Sequence, residues 1–368
     1  MPSGCDAGCG GRHSLTTMRL DRLRIPVVQA PLAGGASTPA LTAAVLNAGG
    51  FGFLAAGYKT PEAVAADIAT LRSLTEAPYG LNIFVPDDDV DSSTFAPYLS
   101  EIAGEADRQG VALGVPRYDD DSFTAKVELA VSERVPVVSF TFGCPETADI
   151  GRLHEAGSEV WVTVTDPNEA QAAVAAGADV LVAQGIEAGG HRGCFVDRED
   201  REDYGLLVLL QLLTAHVSVP LVASGGIGTG AAVAAVLAAG ACAAQIGTAF
   251  LRCPEAGTSA PHREALSGQG RTRLTRAFTG RSARGIENRF LLEHSTAPVA
   301  YPQIHHATGP LRAAARVAED PDVVNLWAGQ AYPLADERPA ADLVGALAHD
   351  LATALASASG RAGGAAPG

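Results

Sequence analysis

Asp179-Val-Leu-Val-Ala-Gln-Gly-Ile-Glu-Ala-Gly-Gly-His-Arg192 is the stretch whose reading decides the fold. Asp179 to Ala183 is a short apolar run rich in β-branched residues, long enough for one buried strand. The run breaks at Gly185, and Gly189, Gly190 and Gly193 then frame His191. Glycines at that density disfavour both helix and strand, because each loses more backbone freedom on ordering than any other residue. They permit close backbone approach to a flat ligand, with an imidazole presented at the end of a strand. Imidazole exchanges protons near neutral pH. The competing reading is a loop histidine with ordinary hydrogen bonds; the glycine frame and a second glycine segment downstream weigh against it.

Outward from this stretch, short β-like runs alternate with helical patterns. Strands are expected at Ile25–Ala30, Phe51–Leu54, Gly80–Val85, Val135–Thr141 and Glu159–Val164 before it, and at Val219–Ala223 and Ala243–Ile246 after it. Helices are expected over Pro39–Leu46 (capped by Ser37 or Thr38), Pro61–Leu74 (capped by Thr60), near Phe95–Gln109, over Glu146–Glu155, from Asp166-Pro167 to Gly177, and over Leu206–Ala215 and Ala231–Ala239. Eight strand–helix units between roughly Ile25 and Leu251 predict a parallel sheet closed into a (β/α)8 TIM barrel. Ligands of such barrels sit at the C-terminal ends of the strands. The non-helical segments Pro31–Gly35, Leu81–Phe84, Phe142–Pro145, Gln184–Gly193, Ser224–Gly230 and Gln245–Thr248 all fall there.

The expected organisation is a flexible leader at 1–21, with Met18 an alternative start to Met1, then the barrel at 22–251. Residues 252–335, richer in Arg, Gly and Pro, read as a small helical cap on the substrate side, with short helices near Ala260–Leu266 and Leu311–Ala318. Residues 336–358 read as a C-terminal helix packing on the barrel, and 359–368 as a disordered tail. The acidic run Asp197–Asp203 reads as a solvated loop without chemistry.

Composition narrows the function. Over 368 residues, 47% are hydrophobic and 18% charged, which suits a buried α/β core. The net charge of −15 argues against nucleic-acid binding, which needs a basic face. No apolar run approaches the ~18 residues of a membrane span. Cys5, Cys9, Cys144, Cys194, Cys242 and Cys253 include no CxxC pair, so no zinc or other metal site is indicated. Reduced thiols and a cytoplasmic location are the expectation.

Ser224-Gly-Gly-Ile-Gly-Thr-Gly230 follows a strand and opens a helix. Backbone N–H groups in such a turn, with a helix dipole behind them, make an anion site. The loops after strands seven and eight, here including Gln245-Ile-Gly-Thr248, are where TIM barrels commonly hold a phosphate. Gly226-x-Gly228-x-x-Ala231 also formally fits a dinucleotide fingerprint. Six strand–helix units precede it, however, and no acidic residue lies about 20 positions on to take a ribose.

These segments, with Gln29–Gly35, Ala48–Gly52, Leu221–Gly228, Gln245–Leu251 and Leu326-Trp-Ala-Gly-Gln330, resemble as a collinear set the nitronate monooxygenase family, FMN enzymes formerly called 2-nitropropane dioxygenases, and most of all its class I bacterial branch. The resemblance implies that Asn82, Gln184, Gly189, Gly226, Gln245, Ile246, Gly247 and Thr248 contact FMN and that His191 is the catalytic base. It implies oxidative denitrification of an alkyl nitronate such as propionate 3-nitronate by O2, giving a carbonyl compound and nitrite. The partners are then a small nitronate and O2, without nucleic acid or membrane, in a monomer or homodimer. Leu32 stands where the family usually has Met, a near-isosteric change. Arg192 is read either as added positive potential or as a surface residue pairing with the acidic run. The rival is an FMN-dependent NAD(P)H enoyl-thioester reductase, which shares the barrel and a similar Gly-Gly-His loop.

Overall fold

The structure, a computed structural model, describes residue 20 and residues 23–363. The expected leader with its choice of start (Leu20 apart) and residues 364–368 lie outside the described residues. Eight parallel strands close a barrel in chain order: β1 (Val27–Gln29), β2 (Phe51–Ala55), β3 (Gly80–Phe84), β4 (Val137–Thr141), β5 (Glu159–Val164), β6 (Val180–Gln184), β7 (Leu221–Ser224) and β8 (Ala243–Ile246). The ring closes where Val28 pairs with Gln245. Every β3 and β5 residue is buried, as expected of strands covered on both faces. Inside the barrel the rings of Phe53 and Trp161 meet edge-on at 5.3 Å.

Around the sheet lie α1 (Pro39–Asn47), α2 (Pro61–Leu74), α3 (Ser92–Glu101), α4 (Ala103–Gln109), α5 (Phe123–Ser132), α6 (Thr147–Glu155), α7 (Pro167–Ala176), α8 (Leu206–Thr214) and α9 (Gly230–Ala238). Thr38 and Thr60 cap α1 and α2 from their hydroxyls, each with Pro in the first turn. Ser37 instead accepts from the Leu32 N–H at 2.8 Å. Two helical features depart from the sequence reading. The helix expected near Phe95–Gln109 divides at Ile102, and α5 occupies a stretch without an expected element. Ser122 at the α5 entry is a residue type that starts helices, but it sits at φ 54° and its side chain makes no capping bond.

Beyond the barrel come α10 (Ala260–Ala265), β9 (Thr272–Thr275), β10 (Ala283–Ile286), α11 (Arg289–Glu293), α12 (Gln303–Val317) and α13 (Ala340–Gly363). This region is more than a helical layer. β9 and β10 form an antiparallel hairpin, and the backbone of Gly190 and His191 adds to it as a third strand. Neither arm has a clean apolar alternation, since Arg273 and Arg284 interrupt them, so the pairing depends on tertiary contact. α12 begins well before Leu311 and runs through Pro310. The proline lacks the amide that would donate to His306 O; Gly114 N–H separately donates to the next carbonyl, Ala307 O, at 2.8 Å. α13 packs on α9 and α1 with Val344 and Leu347 buried, and it continues past Ala358, where a disordered tail is expected, to Gly363. No helix among the described residues is long and apolar enough to cross a membrane.

Candidate active site

A cavity of about 560 Å³ opens at the C-terminal ends of the strands. Its floor is polar: Asn82 on β3, Thr141 on β4, Thr163 on β5, Gln184 on β6, Ser224 on β7 and Gln245 on β8 all line it. Asn82 Nδ2 donates to Ser139 O (3.2 Å), Ser139 Oγ (2.9 Å) and Thr141 Oγ1 (3.0 Å). Its Oδ1, like the whole Gln245 amide, has no hydrogen-bond partner among the described residues. Polar atoms held at strand ends without protein partners suit a ligand that brings its own donors and acceptors.

One end of the cavity is backbone. Gly225 and Gly226 have φ +112° and +69°, the left-handed region that favours glycine. A Cβ on Gly225 would lie 3.1 Å from Ala188 N, and one on Gly226 3.1 Å from Glu187 Cβ. The two loops therefore approach each other as closely as they do only without side chains. Gly228, Gly247 and Thr248 continue the same wall. Thr248 Oγ1 accepts from Gly329 N at 3.0 Å, and Gln330 N donates to Glu187 O at 3.0 Å, fixing Leu326–Gln330 across the cavity rim. Gly189 faces that segment so closely that a Cβ there would overlap the Ala328–Gly329 peptide.

The other end is side chains. His191 is half-buried on the cavity, ringed by Phe142 (5.6 Å), Trp327 (5.4 Å) and Tyr301 (6.0 Å) between ring centroids. Its Nε2 lies 2.9 Å from Thr279 Oγ1, and that hydroxyl donates to Arg281 O at 3.2 Å. A hydroxyl already donating accepts from the ring, so Nε2 carries the proton and Nδ1 is the free base. Burial, then the positive charges of Arg281 and Arg312, push the imidazole down to about 3. It is neutral at physiological pH. Tyr58 stacks on His305 at 4.3 Å and meets Tyr301 hydroxyl to hydroxyl at 3.4 Å. Tyr58 and Phe142 sit at φ 66° and 79°, strained values for bulky residues that cluster at functional sites.

The loop carrying His191 is held from below. Gln184 donates to His191 O (3.1 Å) and accepts at Oε1 from Gly193 N (2.8 Å) and Arg192 Nη1 (2.9 Å). Arg192 is fully buried, bonding Gly185 O at 2.8 Å, with Asp203 3.4 Å away. It pairs with the acidic run, yet from beneath the loop and not from the surface. Nor is that run merely solvated: buried Asp197 accepts from Arg201 (3.2 Å), Arg276 (2.9 Å) and Ser282 N (2.8 Å), tying the insertion to the hairpin.

His191, Asn82, Gln184, Gly189, Gly226, Gln245, Ile246, Gly247 and Thr248 thus all border one cavity. The Gln184 amide is committed to the loop, and Gly189 also packs against the rim. The sequence reading assigned no role to Tyr58, Thr279, Tyr301, His305 or Arg312. Their segments carry no motif, so only their convergence marks them. Among the described residues Glu105, Glu293 and His294 converge as metal ligands would. Arg289 already occupies the Glu105 oxygens at 2.8 Å and Glu293 at 2.8 Å, making this an ion-pair network. Cys194 is buried against Arg281 and Arg201, 4.0 and 3.0 Å from their guanidiniums, and burial pushes its thiol up, contrary to what a nucleophile needs.

A (β/α)8 barrel whose strand-end cavity has a backbone wall at one end and an imidazole at the other has the layout of a barrel enzyme. Comparison with known proteins specifies which. The nitronate monooxygenase family model matches residues 17–350, and the chain belongs to that family and to its class of oxidoreductases. The nitronate monooxygenase of Pseudomonas aeruginosa is 40% identical over 347 residues, 90% of this chain and 98% of the relative. The crystal structure of the nitroalkane oxidase from Streptomyces ansochromogenes is similar with a TM-score of 0.90 at 49% identity, covering 92% of this chain and 99% of that one. FabK from Thermotoga maritima is more distant, with a TM-score of 0.73 at 27% identity, covering 93% and 97%.

Proposed function

We propose that the chain is an FMN-dependent nitronate monooxygenase that converts an alkyl nitronate of the propionate 3-nitronate type and O2 into a carbonyl compound and nitrite, acting in the cytoplasm as a monomer or homodimer. The observation that carries this reading is the single cavity with a glycine cradle at one end and a neutral imidazole at the other. The residues fit the cofactor. The left-handed Gly225-Gly226 turn suits a phosphate, and the unpartnered Asn82 Oδ1 and Gln245 amide suit a polar ring edge. Gly226, Gly247 and Thr248 would hold the phosphate end, and Asn82, Gln184, Gly189, Gln245 and Ile246 the ring.

When bound, the flavin would supply electron transfer between the nitronate and O2. The protein supplies the rest. With Nε2 tied to Thr279, His191 presents Nδ1 to accept the α-proton of a neutral nitroalkane. The resulting imidazolium is disfavoured by burial and then by Arg281 and Arg312, and would be stabilised by the nitronate anion formed beside it. Phe142, Trp327 and Tyr301 pack around that ring and hold it against the cavity.

The test is oxygen uptake and nitrite release with propionate 3-nitronate, beside an absorbance spectrum of the purified protein. A colourless protein that refuses added FMN ends the proposal. Rapid bleaching by NADH under argon, without nitrite release from any nitronate, would transfer it to the enoyl-thioester reductases.

A further inference from the structure

We propose that Arg312, with Arg316 one turn further along α12, forms a receptor for a carboxylate on the tail of the substrate, so that the cavity selects short nitronates carrying a second anionic group. This rests on the function proposed above and adds the residues that would choose among nitronates.

The buried arginines among the described residues set the contrast. Arg281 pairs with Asp87 and Arg192 lies 3.4 Å from Asp203. Arg284 has no carboxylate either, but it spends its donors on Ile186 O at 3.0 Å and Thr272 Oγ1 at 3.3 Å and is not part of the cavity wall. Half-buried Arg289 takes Glu105 at 2.8 Å. Arg312 is only 6% exposed and lines the cavity, yet its partners are neutral: Thr308 Oγ1 at 3.2 Å, His305 O at 2.8 Å and His305 Nδ1 at 3.3 Å. Its Nη1 has no hydrogen bond among the described residues and is accessible to solvent. Arg316 also lines the cavity and bonds Asn325 Oδ1 at 3.2 Å, again without a carboxylate. A buried guanidinium lacking a counter-charge is costly, and a carboxylate oxygen can accept from its free Nη1 while supplying the missing charge.

The position fits the tail of a substrate and not the cofactor phosphate. Arg312 belongs to the imidazole end, where its charge is felt by His191 and it shares the wall with Tyr58 and His305. Phosphate-binding backbone lies in the loops after β7 and β8. A nitronate beside His191 would therefore direct a short chain towards α12. Burial pushes Arg312 down to about 10, still protonated at neutral pH, so the receptor is charged before substrate arrives.

The experiment compares kcat/KM of the flavin-loaded protein for propionate 3-nitronate and for the nitronate of 1-nitropropane, which has the same carbon count and no carboxylate. In Arg312→Gln the ratio of the two constants should fall about 30-fold, the worth of one charge-assisted hydrogen bond to the free Nη1. Arg312→Lys should restore part of it, and Arg316→Gln should lower it less. Calorimetric titration with succinate gives a readout free of turnover: Arg312→Gln should weaken its binding at least about tenfold. An unchanged ratio, equal losses on both nitronates, or unaltered succinate binding would each overturn the receptor. So would loss of flavin from Arg312→Gln, which would assign the guanidinium to the cofactor. If no nitronate is oxidised but succinate binds in an Arg312-dependent way, the function reading falls and the anion site stands.

Discussion

The two ends of the cavity are built by opposite means. The glycine end comes from consecutive loops after β7 and β8, and it offers main chain with few side chains. The imidazole end takes His191 from the loop after β6, Phe142 from the loop after β4, Tyr58 from the loop after β2, and Thr279, Tyr301 and Trp327 from beyond the barrel. Main-chain chemistry needs only a local conformation, so a few glycines suffice. Side-chain chemistry at His191 needs a cage, and a cage needs contributions from far along the chain. The cap hairpin is the joint between the two, because Ala283 pairs directly with His191.

The sharpest way to break this contrast is His191→Asn. Turnover of a neutral nitroalkane should fall about 10³-fold, and that of its preformed nitronate far less, since no α-proton remains to be taken. Equal losses measured by nitrite release would deny His191 the role of base. The next test falls at the joint between loop and rim. Gly189→Ala forces a methyl into the Ala328–Gly329 peptide and should cost about 1–3 kcal/mol. Urea denaturation of the variant checks it, and an unchanged midpoint would mean that the rim gives way freely.

A smaller effect is expected from Thr279→Val, which removes the partner of His191 Nε2 without touching the glycine end. Nitroalkane kcat/KM should fall about tenfold with a displaced pH profile, and Thr279→Ser should restore both. A uniform loss at every pH would make Thr279 structural only. The smallest expected effect is on stability. Burial holds His191 at about 3 and His262 at about 4, below the ordinary 6.5. The unfolded chain then binds protons that the folded one refuses, so their contribution is complete above about pH 6.5 and is lost as pH falls towards 4 and 3. Chemical denaturation across that range should show the decline, and His191→Gln with His262→Gln should flatten it. An unaltered slope would mean that carboxylates such as Asp197 govern acid sensitivity.

How much was legible follows the same division. Gly185 to Gly193 and Ser224 to Gly230 announce themselves, since glycines between a strand and a helix leave few other conformations open. The hairpin of Thr272–Thr275 and Ala283–Ile286 does not, because its arms are short and interrupted by arginine. Asp197 looked like part of a hydrated acidic run, and its burial depends on Arg276, 79 positions away in sequence. Arg192 gave no sign that it would lie under its own loop. Its burial is set by carbonyls that converge only once Gln184 is in place.

By itself, then, the sequence determined the periodic and the local: eight strand–helix units, the caps at Thr38 and Thr60, and the backbone turns that favour an anion. These follow from hydrophobic spacing and from allowed dihedral angles, which neighbouring residues control. Tertiary structure alone decided that His191 is neutral, that Thr279 fixes its proton, and that Arg312 borders the cavity without a carboxylate. Those properties belong to desolvation and to distances between groups far apart in the chain, and such quantities exist only after the chain has folded.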